Sequence, residues 1–149
     1  TDIQASIGIS QFQRLENFKK IRIKNREKII KSLKSHPKWN KQFDFINVPK
    51  KVSPSYMVFP ILLNSKYEKK KIKFINHIET LGLQTRPIIS GNFSKQPSSK
   101  LYKLNKLNKK YPGSDEIQKL GFVIGLQTSN IEKKKIKFVT NTLLSINNL

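Results

Sequence analysis

Cysteine is absent from this 149-residue chain. That excludes a disulfide scaffold, a thiolate zinc site and a cysteine nucleophile together. Histidine is nearly absent as well, and His36 and His77 cannot by themselves build a histidine-rich metal site or a hydrolase triad. Acidic residues are scarce, with 9 Asp and Glu against 30 Lys and Arg. Most of them fall on expected helix surfaces, and Asp115-Glu116 reads as a charge pair favouring a helix N-terminus rather than as an acid–base couple. No Gly-rich phosphate loop of standard spacing occurs. No apolar run approaches the roughly 18 residues of a membrane span, so no membrane partner is expected. The chain opens Thr-Asp, not Met, without a charged and apolar leader. The expectation is a processed start or a piece of a longer protein.

What is abundant is lysine. The formal charge is +21 and the pI is near 10.3, the first sign of a nucleic-acid binder. Yet Arg14, Arg22, Arg26 and Arg86 are the only arginines beside 26 lysines. Arginine is the residue favoured for bidentate phosphate and base contacts. Lys, Asn and Ile all have A/T-rich codons, so a skewed genome raises lysine wherever a surface tolerates it. A field that attracts phosphate is the other reading.

Hydrophobic spacing predicts one helix opening at Asp2 as cap, and a long basic amphipathic helix over about Glu16 to Ser35. Gly8 weakens the first by about 1 kcal/mol and suggests a break there, while His36-Pro37 ends the second. Residues 37–54 read as loop or irregular strand, with Trp39 and Phe43 packing against the long helix. Ser55 to Leu63 is the best strand, and Pro60 suggests a sheet edge. A helix follows over Asn64–Leu81 with Ile72, Ile75 and Ile78 on one face, stopped by Gly82. Leu83–Arg86 is a short strand, and Pro87–Gly113 a long loop of the kind that is functional or disordered. Ser114 caps a helix over Asp115–Leu120, Phe122–Leu126 is a buried strand, and Asn130 caps the final helix. The expected fold is a small α+β layer with helices packed on a short sheet.

Two stretches invite a functional reading. Glu68–Phe74 and Glu132–Phe138 are identical, EKKKIKF. They are either matched basic helices that grip a polyanion or two solvated helix faces. The other is Thr85-Arg86-Pro87-Ile88-Ile89-Ser90-Gly91-Asn92-Phe93-Ser94-Lys95-Gln96-Pro97. Arg86 is the only arginine beyond residue 26. At a strand end opening into a Gly91-Asn92 turn, it suits a planar anion such as carboxylate or phosphate. A structural ion pair is the plainer reading. Neither histidine has a functional setting.

At this point the residues resemble a known family. Thr1-Asp2-Ile3-Gln4-Ala5-Ser6-Ile7-Gly8-Ile9-Ser10-Gln11-Phe12 is similar to the TD-x-QAAIG-LAQL segment of the DegT/DnrJ/StrS family, pyridoxal-phosphate enzymes acting on nucleotide-linked keto-sugars. Ser53 to Ile61 resembles its S-x-S-W/Y-x-x-FPI strand, and Gly82 to Ile88 its GIETRP segment. Ser90 to Pro97 is similar to the AGN-F/L-x-RQP loop of a subgroup that holds both aminotransferases and nucleotide-sugar 3-dehydratases. Asp115-Glu116-Ile117 and Gly121-Phe122-Val123-Ile124-Gly125-Leu126 resemble the A-D/E-x-I…GF-F/V-IG ending. The five segments occur in order over nearly the whole chain.

The resemblance implies the C-terminal part of a type I aminotransferase fold, of class α/β with an α+β small domain. Residues 1–36 would be an interdomain helical segment and 37–149 the small domain. It implies a cytoplasmic homodimer that uses pyridoxal 5'-phosphate, a nucleotide-sugar substrate and an amino-acid donor, commonly glutamate. The Schiff-base lysine lies upstream in the family, so no catalytic residue is expected in this chain. Alone it should be inactive, with Ile3, Ile7 and Phe12 exposed. Arg86, Gly91, Asn92 and Lys95 are the expected substrate-side residues, with Tyr56 beside them. Lys95 replaces an Arg common in the subgroup, which reduces a bidentate contact to a single charge. Gln127 stands where relatives often carry His. A 3-dehydratase with histidine in place of the Schiff-base lysine, a basic nucleic-acid-binding module and a non-catalytic remnant stay open.

Overall fold

The computed structural model describes residues 1–103 and 110–149; part of the expected Pro87–Gly113 loop lies outside the described residues. Two helices open the chain, α1 (Asp2–Phe12) and α2 (Leu15–Lys34). The break falls after Phe12 and not at Gly8, which sits in open space where a helix can carry it. Thr1, not Asp2, is the N-cap. Its amine donates to Gln4 Oε1 at 3.0 Å, while Asp2 takes the first helical position, favourable to a negative charge. No residue of α1 is buried. Ile3 and Phe12 are about three-quarters exposed, at 75% and 76%.

Then come β1 (Phe43–Phe45), β2 (Val58–Leu63), α3 (Lys71–Thr80), β3 (Thr85–Arg86), α4 (Pro112–Leu120), β4 (Gly121–Gly125) and α5 (Lys133–Leu144). The strands form one sheet in the order β1-β2-β4-β3, every neighbour antiparallel. This is the expected α+β layer. β2 is interior, against the expectation for Pro60. The proline is tolerated because β1 stops at Phe45 opposite Ile61. At Pro60 the ladder on that side has already ended, so the missing N–H costs no bond there.

Alternation sorts the sheet into two faces. Phe59, Ile61 and Leu63 of β2, with their β4 partners Ile124 and Phe122, point inward and are buried. Against them pack Ile29 and Leu33 of α2, Phe74 and Ile78 of α3, and Val139 and Leu143 of α5. Aromatic rings thread this core: Phe43–Phe74 and Phe74–Phe122 centroids are both 6.0 Å apart, within the favourable range for such pairs. Asn25 of α2 is fully buried. Its Nδ2 donates to the Gln127 and Ser129 carbonyls at 3.2 and 2.8 Å, and its Oδ1 accepts from Ile131 N at 3.0 Å.

That last bond explains why Asn130 does not cap α5. Asn25 accepts the Ile131 N–H just ahead of the helix, and Glu132 is the N-cap without a side-chain bond. Likewise Ser114 lies inside α4, which starts at Pro112 in the first-turn position that suits a residue without an N–H. The expected Asn64–Leu81 helix begins as a 3₁₀ turn, Ser65–Lys70, capped by the Asn64 side chain. Its buried face is Phe74 and Ile78, with Ile75 partly buried. Ile72 lies about 200° round the helix from Phe74 and is 78% exposed.

The repeated heptad takes two unlike settings. Its first copy straddles the 3₁₀ turn and α3 and buries Phe74 completely; its second opens α5 and leaves Phe138 43% exposed. We expect Phe74→Ala to destabilise the protein by about 3–5 kcal/mol, and Phe138→Ala by less than about 1 kcal/mol. Urea midpoints at constant slope measure both.

Candidate functional site

Arg86 ends β3 opposite Val123 of β4, on the sheet face away from the helical core. Thr85, its neighbour, is fixed to α3 by Glu79, whose Oε1 accepts from the Thr85 N–H at 3.1 Å and from its hydroxyl at 2.5 Å. With that carboxylate occupied, Arg86 is exposed and has no ion pair among the described residues. A recess of about 310 Å³ opens beside it, lined also by Lys71, Glu79 and Pro87. Lys71 Nζ donates to the Gln118 carbonyl at 2.9 Å, and burial pulls its pKa below 10.5.

The chain then closes down on the start of β4. A Cβ at Gly121 would lie 2.5 Å from the Ile117 carbonyl oxygen and 2.6 Å from Ile88 Cδ1, so only glycine fits where the loop crosses. At Gly91 the backbone turns left-handed, with φ +61°, and a Cβ would press on Gln118 at 3.1 Å. The turn brings Asn92, 2% exposed, against α4. Gln118 Oε1 accepts from Asn92 N at 2.9 Å, and Asn92 Nδ2 donates to Asp115 Oδ1 at 2.7 Å. Asn92 Oδ1 in turn accepts from the Ser94 N–H at 3.0 Å and hydroxyl at 2.6 Å. A 3₁₀ turn over Phe93–Lys95 follows. Lys95 Nζ reaches the same Asp115 oxygen at 2.6 Å, and Gln96 Nε2 donates back to the Ser90 carbonyl at 2.9 Å.

Gly91, Asn92 and Lys95 are therefore brought together, with Arg86 at the root of the same loop. Asn92 has both ends of its amide committed to the protein, so it acts by fixing the loop's path. Lys95 keeps half its side chain, 54%, in solvent. Tyr56 is placed elsewhere, its ring under the Arg26 guanidinium at 4.7 Å. Sequence reasoning missed Gln118 altogether and read Asp115 only as a helix-terminus charge. The signal for both was the pairing of the SGN loop with the D-E-x-I helix, one segment serving as the other's seat. The loop and Arg86 present two cations without a nucleophile or acid–base pair, which is equipment for holding an anion. Among the described residues no cluster of three or more His, Asp or Glu could hold a metal, and no helix is long and apolar enough to cross a membrane.

The model of one protein family matches residues 1–144. The chain belongs to the DegT/DnrJ/EryC1/StrS aminotransferase family. It is 28% identical over 100 residues to the lipopolysaccharide biosynthesis protein RfbH of Salmonella typhimurium, covering 65% of this chain and 22% of that one. It also superposes on the Escherichia coli GDP-4-keto-6-deoxy-D-mannose-3-dehydratase, solved with bound hydrated PLP. There the TM-score is 0.74 at 22% identity, over 92% of this chain and 33% of that one. The Helicobacter pylori aminotransferase PseC gives a TM-score of 0.74 at 14% identity, over 97% and 36%. The chain thus spans at most about a third of these relatives' lengths.

As a Schiff base, pyridoxal phosphate is held by a lysine amine facing a cavity, with a carboxylate placed for the pyridine nitrogen. The described residues do not supply that set. Lys71, the one lysine among the described residues whose pKa burial lowers, spends its ammonium on the Gln118 carbonyl.

Asp115 reports on the loop. The hydrogen bond from Lys95 first, and that from Asn92 second, hold its pKa below 3.8. Because the folded value is depressed, its contribution to stability is present above about pH 3.8 and is lost as pH falls through the folded pKa. In Lys95→Gln we expect the Asp115 carboxyl, followed by NMR, to titrate closer to 3.8 than in the parent.

Proposed function

We propose that this chain is the C-terminal third of a pyridoxal-phosphate enzyme that modifies a keto-sugar nucleotide, by amino transfer from an amino acid, commonly glutamate. The family match over residues 1–144 carries this reading. The locked Arg86–Lys95 loop, two cations on a fixed path, supports it. The cofactor supplies the electron sink when bound, and upstream residues hold it. This chain's part is to bind and orient the anionic substrate: Arg86 and Lys95 hold its charge, while Gly91 and Asn92 keep the loop in shape. Residues 1–36 join the upstream domain to the small domain, 37–149. The bare helix α1, with Ile3, Ile7, Ile9 and Phe12 exposed around it, is the seat of that domain. The enzyme works as a cytoplasmic homodimer.

A second reading, a nucleotide-sugar 3-dehydratase, is favoured by identity. The Escherichia coli 3-dehydratase stands at 22%, the aminotransferase PseC at 14%. The reading frame upstream of the Thr1 codon separates them. A lysine in the cofactor motif makes the protein an aminotransferase, a histidine a dehydratase, and an early stop defeats both.

In the intact enzyme Arg86→Ala should lower kcat/KM about ten- to hundredfold, the worth of a charged hydrogen bond. Arg86→Lys should recover only part, since the planar fork is lost. Unchanged substrate affinity and turnover in Arg86→Ala would remove Arg86 from the site.

A further inference from the structure

The repeated EKKKIKF heptad has no part in the proposed function, and its two copies stand in different electrostatic surroundings. The second copy opens α5 beside α2. Asn25 of α2 meets residues 127–131 at the entry to α5. Two turns further along α2, the Thr140 hydroxyl donates to Ser32 Oγ at 2.8 Å. The two helices therefore run in the same direction. Lys28 lies one turn before Ser32 and Lys137 one turn before Thr140, so these lysines flank the seam, with Lys24 and Lys133 a further turn back. Lys20, Lys31 and Lys134 widen the same outer side. All are exposed, and none makes an ion pair among the described residues. Only Glu16, Glu27 and Glu132 oppose them along these stretches.

Folding does not account for this face. The apolar sides of both helices are already buried on the sheet, through Ile29, Leu33, Val139 and Leu143. Lys133 and Lys134 occupy the first turn of α5, where the N-cap Glu132 makes no side-chain bond and the helix dipole disfavours a cation. The first copy is offset by its neighbours. Lys71 Nζ donates to the Gln118 carbonyl at 2.9 Å, Glu68 pairs with Lys119 at 3.6 Å, and the adjoining α4 also carries Asp115 and Glu116.

We propose that the α2–α5 face docks on the anionic surface of a phospholipid bilayer. Its lysines adhere as point charges to mobile headgroups, which requires no spanning segment and no planar fork. Phe138, one turn beyond Lys134 and 43% exposed, borders the face with an apolar side chain suited to the interfacial layer. A duplex nucleic acid is served less well, because base reading favours arginine. The arginines in this part of α2, Arg22 and Arg26, are half-buried and not presented with the lysines.

The experiment is co-sedimentation of the purified protein with phosphatidylcholine vesicles, with and without about a third phosphatidylglycerol, at about 0.1 M salt. Binding to the anionic vesicles should be at least about tenfold stronger, and should be lost at about 1 M salt. Lys133→Glu/Lys134→Glu/Lys137→Glu should weaken it at least about tenfold; the charge change suits a helix N-terminus, so α5 is retained. Lys24→Glu/Lys28→Glu, on the other helix, should weaken it as well. The matched change in the first copy, Lys69→Glu/Lys70→Glu/Lys73→Glu, alters the net charge equally and should leave binding within about threefold. No sedimentation with anionic vesicles, or equal sedimentation with neutral ones, overturns the proposal. So does equal weakening by the two matched changes, which would show only attraction to a polycation. Binding of duplex RNA through the same lysines, with none to vesicles, assigns the face to nucleic acid and overturns the bilayer.

Discussion

The fold turns on one buried amide. Asn25 cannot be taken out of water without its bonds being replaced, and all of its replacements come from residues 127–131, more than a hundred positions away. It anchors the entry to α5 at a fixed point on α2, so the two helices lie side by side over the sheet. Ile29 and Leu33, one and two turns further along α2, then meet Val139 and Leu143 in the same cluster. A polar contact thus sets the register in which the apolar ones are made. Apolar packing alone is permissive about such sliding.

A similar division of labour runs through the Arg86 loop. The residues that hold its shape, Asn92, Asp115 and Gln118, are hydrogen-bonded through Asn92. Arg86, without an ion pair among the described residues, and Lys95, paired with Asp115 but half in solvent, stand at either end of the segment so stabilised. Such an arrangement pre-organises an anion site: the ordering cost is met in folding, not at binding.

Much of the layer was legible in sequence because it depends on periodicity. Ser55–Leu63 and Phe122–Leu126 read directly as strands, and the long helix before them reads from its apolar spacing. What was not legible depends on distant partners. Pro60 reads as an edge residue, and only the short reach of β1 makes an interior place acceptable. Ser114 and Asn130 read as caps, but α4 starts earlier, at Pro112, and α5 later, after Glu132. Arg86 and the Gly91-Asn92 turn stood out by composition and by likeness to a family motif. The Asn92–Asp115–Gln118 seat did not, since nothing local pairs two segments more than twenty residues apart.

The edge strands are brief, three residues for β1 and two for β3. Long bare edges invite another chain to add a strand, and short ones deny it a template. Any second subunit must therefore engage this domain through side chains on its helices and loops, where shape and charge choose the partner, and not through the main chain, which accepts almost any sequence. With so many exposed lysines on those surfaces, such an encounter is selective from the outset: like copies repel unless their contact is apolar or acidic.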